Sequence, residues 1–154
     1  MKYIRTISRT TLVAAFISVG ASYTSAQSPD GFEGIPWGTS LDWLEKQFEL
    51  LPHSTGGEFH SYASNVLHVG PAEVSECDFE FVKGKFAGVA ILTRGTRNTH
   101  RLLSHLRKLF GEGHQEDPRT YQWFSGQTHV SFDEDSDGDG YVYWYSRTLL
   151  RGPE

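Results

Sequence analysis

The segment from Val74 to Thr93 limits the fold of this chain more tightly than any other. Apolar and polar residues alternate from Val74 to Val82, and a second, more apolar run follows from Phe86 to Thr93. The tripeptide Lys83-Gly84-Lys85 between the two runs is typical of a tight turn. Because a period of two indicates a strand with one buried face, the sequence predicts a β-hairpin inside an antiparallel sheet.

The single cysteine lies in the first strand of that hairpin. Cys77 falls on the same side of the alternation as Phe79 and Phe81. One cysteine cannot form an intramolecular disulfide. Its position on the apolar side predicts a buried structural thiol and not a reactive one.

Two helices are predicted around the hairpin. The first starts at Thr39 or Ser40, which can act as N-cap residues, and ends at Pro52. The second starts at Asn98 or Thr99 and ends before Gly111. The apolar residues that recur at helical spacing are Leu41, Leu44, Phe48 and Leu51 in the first helix and Leu102, Leu103, Leu106, Leu109 and Phe110 in the second.

The remaining strand signals define the expected fold class. Further strands are predicted at Phe59–Tyr62, Val66–Val69, Tyr121–Phe124, Thr128–Phe132 and Tyr141–Ser146. The order of elements then indicates an internal repeat, in which a helix followed by strands occurs twice. We therefore expect an α+β fold with two α-β-β-β-like halves, in which the helices pack on one face of an antiparallel sheet.

The first 26 residues have the features of a secretory signal peptide. A positively charged start (Lys2, Arg5, Arg9) is followed by an apolar run, Thr11–Ser22, and by the small residues Thr24-Ser25-Ala26. The apolar run is shorter than the roughly 20 residues that a membrane-spanning helix needs, which argues against the alternative of an N-terminal anchor. The sequence predicts a leader at 1–26, one domain at 27–154, and a periplasmic or secreted location without a membrane span.

The charge of the predicted mature chain bears on its partners. Residues 27–154 contain 11 basic and 19 acidic residues, a net charge of −8. An acidic surface repels phosphate backbones, so we do not expect nucleic acid as a partner. The same charge favours basic partners.

The segment Gly34-Ile35-Pro36-Trp37-Gly38-Thr39-Ser40 resembles a G-[IM]-P-W-G-[TS]-S motif that starts a short helix in a loose group of small exported bacterial proteins. Segments 77–81, 82–86 and 121–123 resemble later parts of the same group. Most of its members carry no assigned function. The predicted topology is also similar to that of the beta-lactamase inhibitor protein, whose concave sheet binds partners, although Cys77 here has no disulfide partner. Independently of the resemblance, Pro36 and Gly38 suit the start of a helix, and Trp37 can cover the end of the core.

Aromatic residues suggest a binding surface on the last strand. Tyr141, Tyr143 and Tyr145 alternate with Val142 and Trp144, so the three tyrosines share one side of the strand. If the other side faces the helices, the tyrosines lie on an open sheet face, where aromatic rings suit protein binding. We expect Tyr121 and Trp123 to extend this surface. The alternative is ordinary cross-strand packing.

The segment Asp133–Gly140 is the most acidic in the chain. Asp133, Asp135, Asp137 and Asp139 alternate with other residues, a pattern that suits the oxygen ligands of calcium. An EF-hand is excluded because Trp144 and Ser146 occupy the positions of its bidentate Glu. A non-helical calcium loop and a solvated hairpin tip both remain open.

No catalytic residues are predicted. The seven histidines show no zinc-binding spacing, and no G-x-S-x-G motif is present. The sequence favours an exported, non-enzymatic protein-binding module with an inhibitory or protective role and an unknown protein partner. The alternatives are a calcium-binding or calcium-stabilised periplasmic module and a small hydrolase of unknown substrate.

Overall fold

The computed structural model describes residues 30–150, so the predicted signal peptide at 1–26 lies outside the described residues. The described chain is mostly β, with 51% of residues in strands and 19% in three short helices. The predicted α+β class, with two helices packed on one face of a sheet, is therefore wrong. The main error in this prediction is the first helix, because most of the residues assigned to it form a turn and a strand.

The bounds of the elements are as follows. Eight strands form the main sheet: β3 (Leu50–Gly56), β4 (Phe59–Ser64), β7 (Glu76–Val82), β8 (Lys85–Thr93), β9 (His114–Asp117), β10 (Thr120–Ser125), β11 (Thr128–Glu134) and β12 (Gly140–Ser146). Two small pairs accompany it: β1 (Gly31–Phe32) with β2 (Ile35–Pro36), and β5 (His68–Val69) with β6 (Ala72–Glu73). The helices are α1 (Leu41–Leu44), α2 (Thr96–Phe110) and α3 (Arg147–Leu150).

The main sheet is antiparallel throughout, in the order β3-β4-β7-β8-β12-β11-β10-β9. Each half of the chain contributes four neighbouring strands, and the halves meet where β8 pairs with β12. The predicted α-β-β-β unit is thus wrong in its number of strands. Strand β9 was not predicted, because its four residues, His114–Asp117, are all polar and exposed.

Pro52 lies inside a strand and does not end a helix. Helix α1 has a single turn, and the chain then enters β3. Proline lacks the N–H that a central strand needs, but β3 is the edge strand of the sheet, where this loss is tolerated. The register with β4 shifts between Pro52 and Ser54. Pairing with β4 therefore outweighs the helical spacing of the apolar residues.

The central hairpin and the second helix are confirmed. β7 and β8 pair through a turn in which Lys83 and Gly84 both have positive φ, at 52° and 71°, as the tightest hairpins require. Helix α2 starts at Thr96, slightly earlier than predicted. None of the helices within residues 30–150 has the length and apolarity needed to cross a membrane.

One face of the main sheet, here called the packed face, holds the core. It includes Cys77, Phe79, Val89, Phe132, Val142 and the fully buried Trp144. The Trp144 ring meets Phe32 and Phe110 edge-on, with centroids 5.1 and 5.2 Å away. Cys77 is 2% exposed, which confirms the predicted buried thiol, and burial raises the pKa of that thiol to about 12. The opposite side of the sheet is called the open face.

The segment 34–40, here called the tryptophan motif because it contains Trp37, joins the start of the described chain to this core. The Gly38 N–H donates to the Phe86 carbonyl, and the Phe86 N–H donates to the Thr39 carbonyl, both at 2.8 Å. The Trp37 indole donates to Thr128 Oγ1 at 2.9 Å and packs against the Phe86 ring. Ser40 occupies the N-cap position of α1 without a side-chain capping hydrogen bond. The motif therefore acts mainly by joining the helix start to β8.

Candidate binding face

The open face carries the predicted tyrosines along β12. Tyr141 is 46% exposed, while Tyr143 and Tyr145 are half-buried. The rings of Tyr143 and Tyr145 are stacked, with centroids 4.7 Å apart. Val142 and Trp144, which alternate with them, are buried on the packed face. The predicted alternation is confirmed, and the fold brings the three tyrosines onto one surface.

Tyr121 and Trp123 do not extend this surface. β10 pairs with β11 so that Tyr121 lies opposite Phe132 and Trp123 opposite Val130. Residues directly opposite each other in an antiparallel pair point to the same side of the sheet. Tyr121 and Trp123 therefore lie on the packed face, where they are 8% and 3% exposed. Their assignment to the binding surface is corrected.

The aromatic residue that β10 contributes to the open face is Phe124, which is 58% exposed and stacks on the His129 ring at 4.3 Å. His129 Nδ1 lies 2.5 Å from the Tyr145 hydroxyl, and His129 Nε2 lies 3.0 Å from Gln122 Oε1. Gln122 Nε2 in turn donates to Glu116 Oε1 at 2.5 Å. Because Gln122 Oε1 can only accept, Nε2 carries the proton and Nδ1 accepts from Tyr145. A hydrogen-bonded chain thus fixes this side of the open face from β12 to β9.

A second contact orders the face on the other side of β12. The Tyr143 hydroxyl donates to Glu80 Oε2 at 2.5 Å, reaching across β8 to β7. The intervening residues are small, Gly88 and Ala90. A Cβ on Gly88 would lie 3.1 Å from both Glu80 Oε2 and the Tyr145 Cβ, which is too close for an unstrained contact. A side chain at position 88 would therefore force one of these neighbours to move by a few tenths of an ångström.

This contact changes the acidity of both partners. Burial raises the pKa of Glu80 above its usual range, although the hydrogen bond from Tyr143 opposes the rise. Burial and the adjacent Glu80 carboxylate raise the pKa of the Tyr143 hydroxyl. Tyr143 therefore stays protonated and keeps its role as the donor.

A groove of 360 Å³ runs over β8 and β12 on the open face. Small and apolar residues of β8 form its floor, and polar and aromatic side chains border it. Its open-face lining consists of Glu76, Asp78, Ala90, Leu92, Ser131, Asp133, Tyr141 and Tyr143. These described lining residues include three carboxylates but no lysine or arginine. Two basic side chains lie close by: Arg94, which pairs with Asp139 and interacts with Glu76 and Tyr141, and His53, which contacts Asp78.

The fold places side by side residues whose proximity was not predicted from the sequence. Glu76 pairs with Leu92, Leu92 with Tyr141, and Tyr141 with Asp133, so these four form one row across four strands. The next row places Asp78 beside Ala90, in line with Tyr143. The alternation of polar and apolar residues in β7 could have predicted that Glu76 and Asp78 share one face of that strand. Their position beside the tyrosines depends on the pairing of β8 with β12.

The predicted calcium loop uses its carboxylates for structure. Asp135 Oδ1 accepts from the N–H groups of Asp137 and Asp139, at 2.9 and 3.0 Å. Asp139 Oδ1 accepts from the Gly95 N–H at 2.9 Å, and Asp139 Oδ2 pairs with Arg94 at 2.5 Å. These bonds lower the pKa of Asp139 and tie the loop to the start of α2.

Asp133 is separate from that group, since its Oδ1 accepts from the Thr120 hydroxyl at 3.0 Å. The predicted metal ligands Asp133, Asp135, Asp137 and Asp139 are therefore not gathered around one point. Within residues 30–150, His, Cys, Asp and Glu side chains form no group of three or more that could hold a metal ion.

Comparisons of this chain with protein-family models, with curated proteins and with solved structures find no match. The resemblance based on the tryptophan motif therefore remains a prediction.

Proposed function

We propose that this protein is an exported, non-enzymatic module that binds a partner protein through its open face and inhibits or protects that partner. The observation that carries this proposal is the set of aromatic rings on one sheet face. Tyr141 and Phe124 are exposed there, and Tyr143 and Tyr145 are held by hydrogen bonds. Tyrosine combines a large apolar ring with a polar tip, which suits surfaces that are wet when free and buried when bound.

The fixed conformations of the aromatic side chains on the open face also favour binding. Side chains that are already fixed lose little conformational entropy when a partner docks, so more of the contact energy appears as affinity. The stacked pair Tyr143 and Tyr145 and the stacked pair Phe124 and His129 are both held in this way. Exposed apolar groups rimmed by polar ones are typical of interaction sites.

Affinity capture from an envelope extract, with the exported protein immobilised, tests the proposal. The face variant combines Tyr141→Ala and Phe124→Ala. The matched control combines Trp43→Ala and Leu109→Ala, which remove side chains that are 49% and 40% exposed on α1 and α2. We expect the wild type and the control to retain the same specific protein and the face variant to lose it, with both variants still folded.

Two results would contradict the proposal. One is equal retention of the captured protein by the face variant and the control, which would place the interaction elsewhere. The other is an extract from which even the wild type retains nothing specific.

A further inference from the structure

We propose that the groove on the open face receives an arginine side chain of the partner protein, with its guanidinium over Tyr141 and between acidic groups on two sides. This inference rests on the proposed function, because it names the chemistry that the open face recognises. It follows from the charge, the spacing and the floor of the groove.

The acidic groups border the groove on opposite sides. Glu76 and Asp78 extend from β7, and Asp133 extends from β11, with β8 and β12 between them. Neighbouring strands are about 4.8 Å apart, so the backbones of Glu76 and Asp133 are separated by about 14 Å. A further carboxylate lies at the Tyr141 end, where the hydroxyl is 3.4 Å from Asp135 Oδ2. Asp78 already pairs with the His53 ring, so the charge on the two sides of the groove comes mainly from Glu76 and Asp133. A cation over Tyr141 would lie between these two carboxylates and near that of Asp135.

The floor of the groove selects the type of cation. Ala90 and Leu92 are apolar, and the exposed ring of Tyr141 lies in line with Leu92. A guanidinium is planar, stacks on aromatic faces and is more weakly hydrated than an ammonium group. It can contact the ring with its face while its N–H groups donate to the carboxylates at the sides.

Other ligand classes fit less well. A calcium ion needs six or more oxygens at about 2.4 Å, and carboxylates on strands this far apart cannot converge to that distance. Phosphate and carboxylate ligands would be repelled by Glu76, Asp78 and Asp133. The net charge of −8 for residues 27–154 attracts basic surfaces in general, and the groove gives that attraction a defined location.

Titration with a defined peptide, followed by NMR of the ¹⁵N-labelled exported protein, tests the inference. The probe is acetyl-Gly-Ser-Arg-Ser-Gly-amide, and its control carries citrulline, which has nearly the same shape without the charge. We expect the arginine peptide alone to shift the backbone amides of Ala90, Leu92 and Tyr141. Equal shifts with both peptides, or no shift with either, would overturn the inference.

Matched charge variants locate the effect. Glu76→Gln with Asp133→Asn removes two charges from the groove, and Glu45→Gln with Glu49→Gln removes two exposed charges near α1. The groove variant should bind the arginine peptide about tenfold more weakly or worse, because hydrogen bonds to charged groups are the strong ones. The control should bind like the wild type. Equal weakening in both variants would reduce the effect to general charge and overturn the inference.

Capture with the same variants separates this inference from the proposed function. If the groove variant and the Tyr141→Ala, Phe124→Ala variant both lose the partner, both conclusions are supported. If the groove variant retains it while the aromatic variant loses it, the open face still binds a protein and the arginine inference is overturned. If the arginine peptide binds the groove but no partner is captured, the proposed function fails separately.

Discussion

The two faces of the sheet are ordered by different forces, and β12 contributes to both. On the packed face, Trp144 and Val142 are buried among other apolar side chains. On the open face, Tyr143 and Tyr145 are fixed by hydrogen bonds to Glu80 and His129. Burial of apolar volume therefore accounts for the stability of the domain, whereas directional contacts determine the shape of the surface offered to solvent.

The largest effect that this comparison predicts is on stability. Trp144→Ala should lower the free energy of unfolding by about 3–5 kcal/mol, because it leaves a cavity in the core. Tyr141→Ala, on the same strand but pointing to solvent, should change it by about 0.5 kcal/mol. Urea unfolding at pH 7 measures both, and Val142→Ala provides a milder core variant if Trp144→Ala does not fold. Equal losses for Trp144→Ala and Tyr141→Ala would remove the distinction between the faces.

A smaller effect is expected where the open face is tightly spaced. Gly88→Ala should cost about 1–3 kcal/mol, because its Cβ would press on Glu80 and Tyr145. Gly56→Ala is the matched control, since a Cβ there meets nothing within 4 Å. Thermal unfolding of the two variants checks the difference. If Gly88→Ala is as stable as the control, the open face is less closely packed than described.

The raised pKa of Glu80 predicts a pH dependence. A carboxyl whose pKa is higher in the folded state than in the unfolded state adds stability at low pH, and this contribution is lost as the pH rises through the folded value. Glu80→Gln keeps an acceptor for Tyr143 without the buried charge. We therefore expect a higher Tm than wild type at pH 7 and no difference at pH 3. A lower Tm at pH 7 would mean that the charge of Glu80 stabilises the face.

Asp139, which bonds to residues next to the start of α2, should show the opposite pH dependence of stability, and its effect should be the smallest of the four. The Gly95 N–H and the Arg94 guanidinium hold its pKa below the usual range, so its contribution is present above the ordinary value and is lost as the pH falls through the folded one. Because Arg94 is largely exposed, Asp139→Asn should lower Tm only slightly at neutral pH, and the difference from wild type should shrink as the pH falls. A decrease that does not change with pH would point to a cause other than charge.

Local sequence patterns predicted the elements better than their arrangement. The β7–β8 hairpin, the alternation in β12 and the buried Cys77 follow from residues close together in the chain. The pairing of β8 with β12 joins segments about fifty residues apart, and no local pattern specifies such a contact. The sequence alone therefore could not predict that the acidic side chains of Glu76 and Asp78 lie on the same surface as Tyr141.

The sequence contains enough information to assign Tyr121 and Trp123 of β10 to the packed face. Val130 and Phe132 alternate as an apolar pair in β11, and a two-residue turn at Gly126 and Gln127 puts Trp123 opposite Val130. Following that register assigns Trp123 to the packed face. The first helix is a different error, because only the strand pairing of β3 with β4 overrides the helical spacing there.

The two margins of the sheet suggest why such a surface need not lead to aggregation. An unpaired outer strand can template strand addition by another copy, which natural proteins prevent with proline, bulges and charge. β3 carries Pro52 and an adjacent bulge, and β9 consists of four exposed polar residues that include Glu116 and Asp117. Growth of the sheet by strand addition is thus disfavoured at both margins, even though the open face exposes aromatic rings.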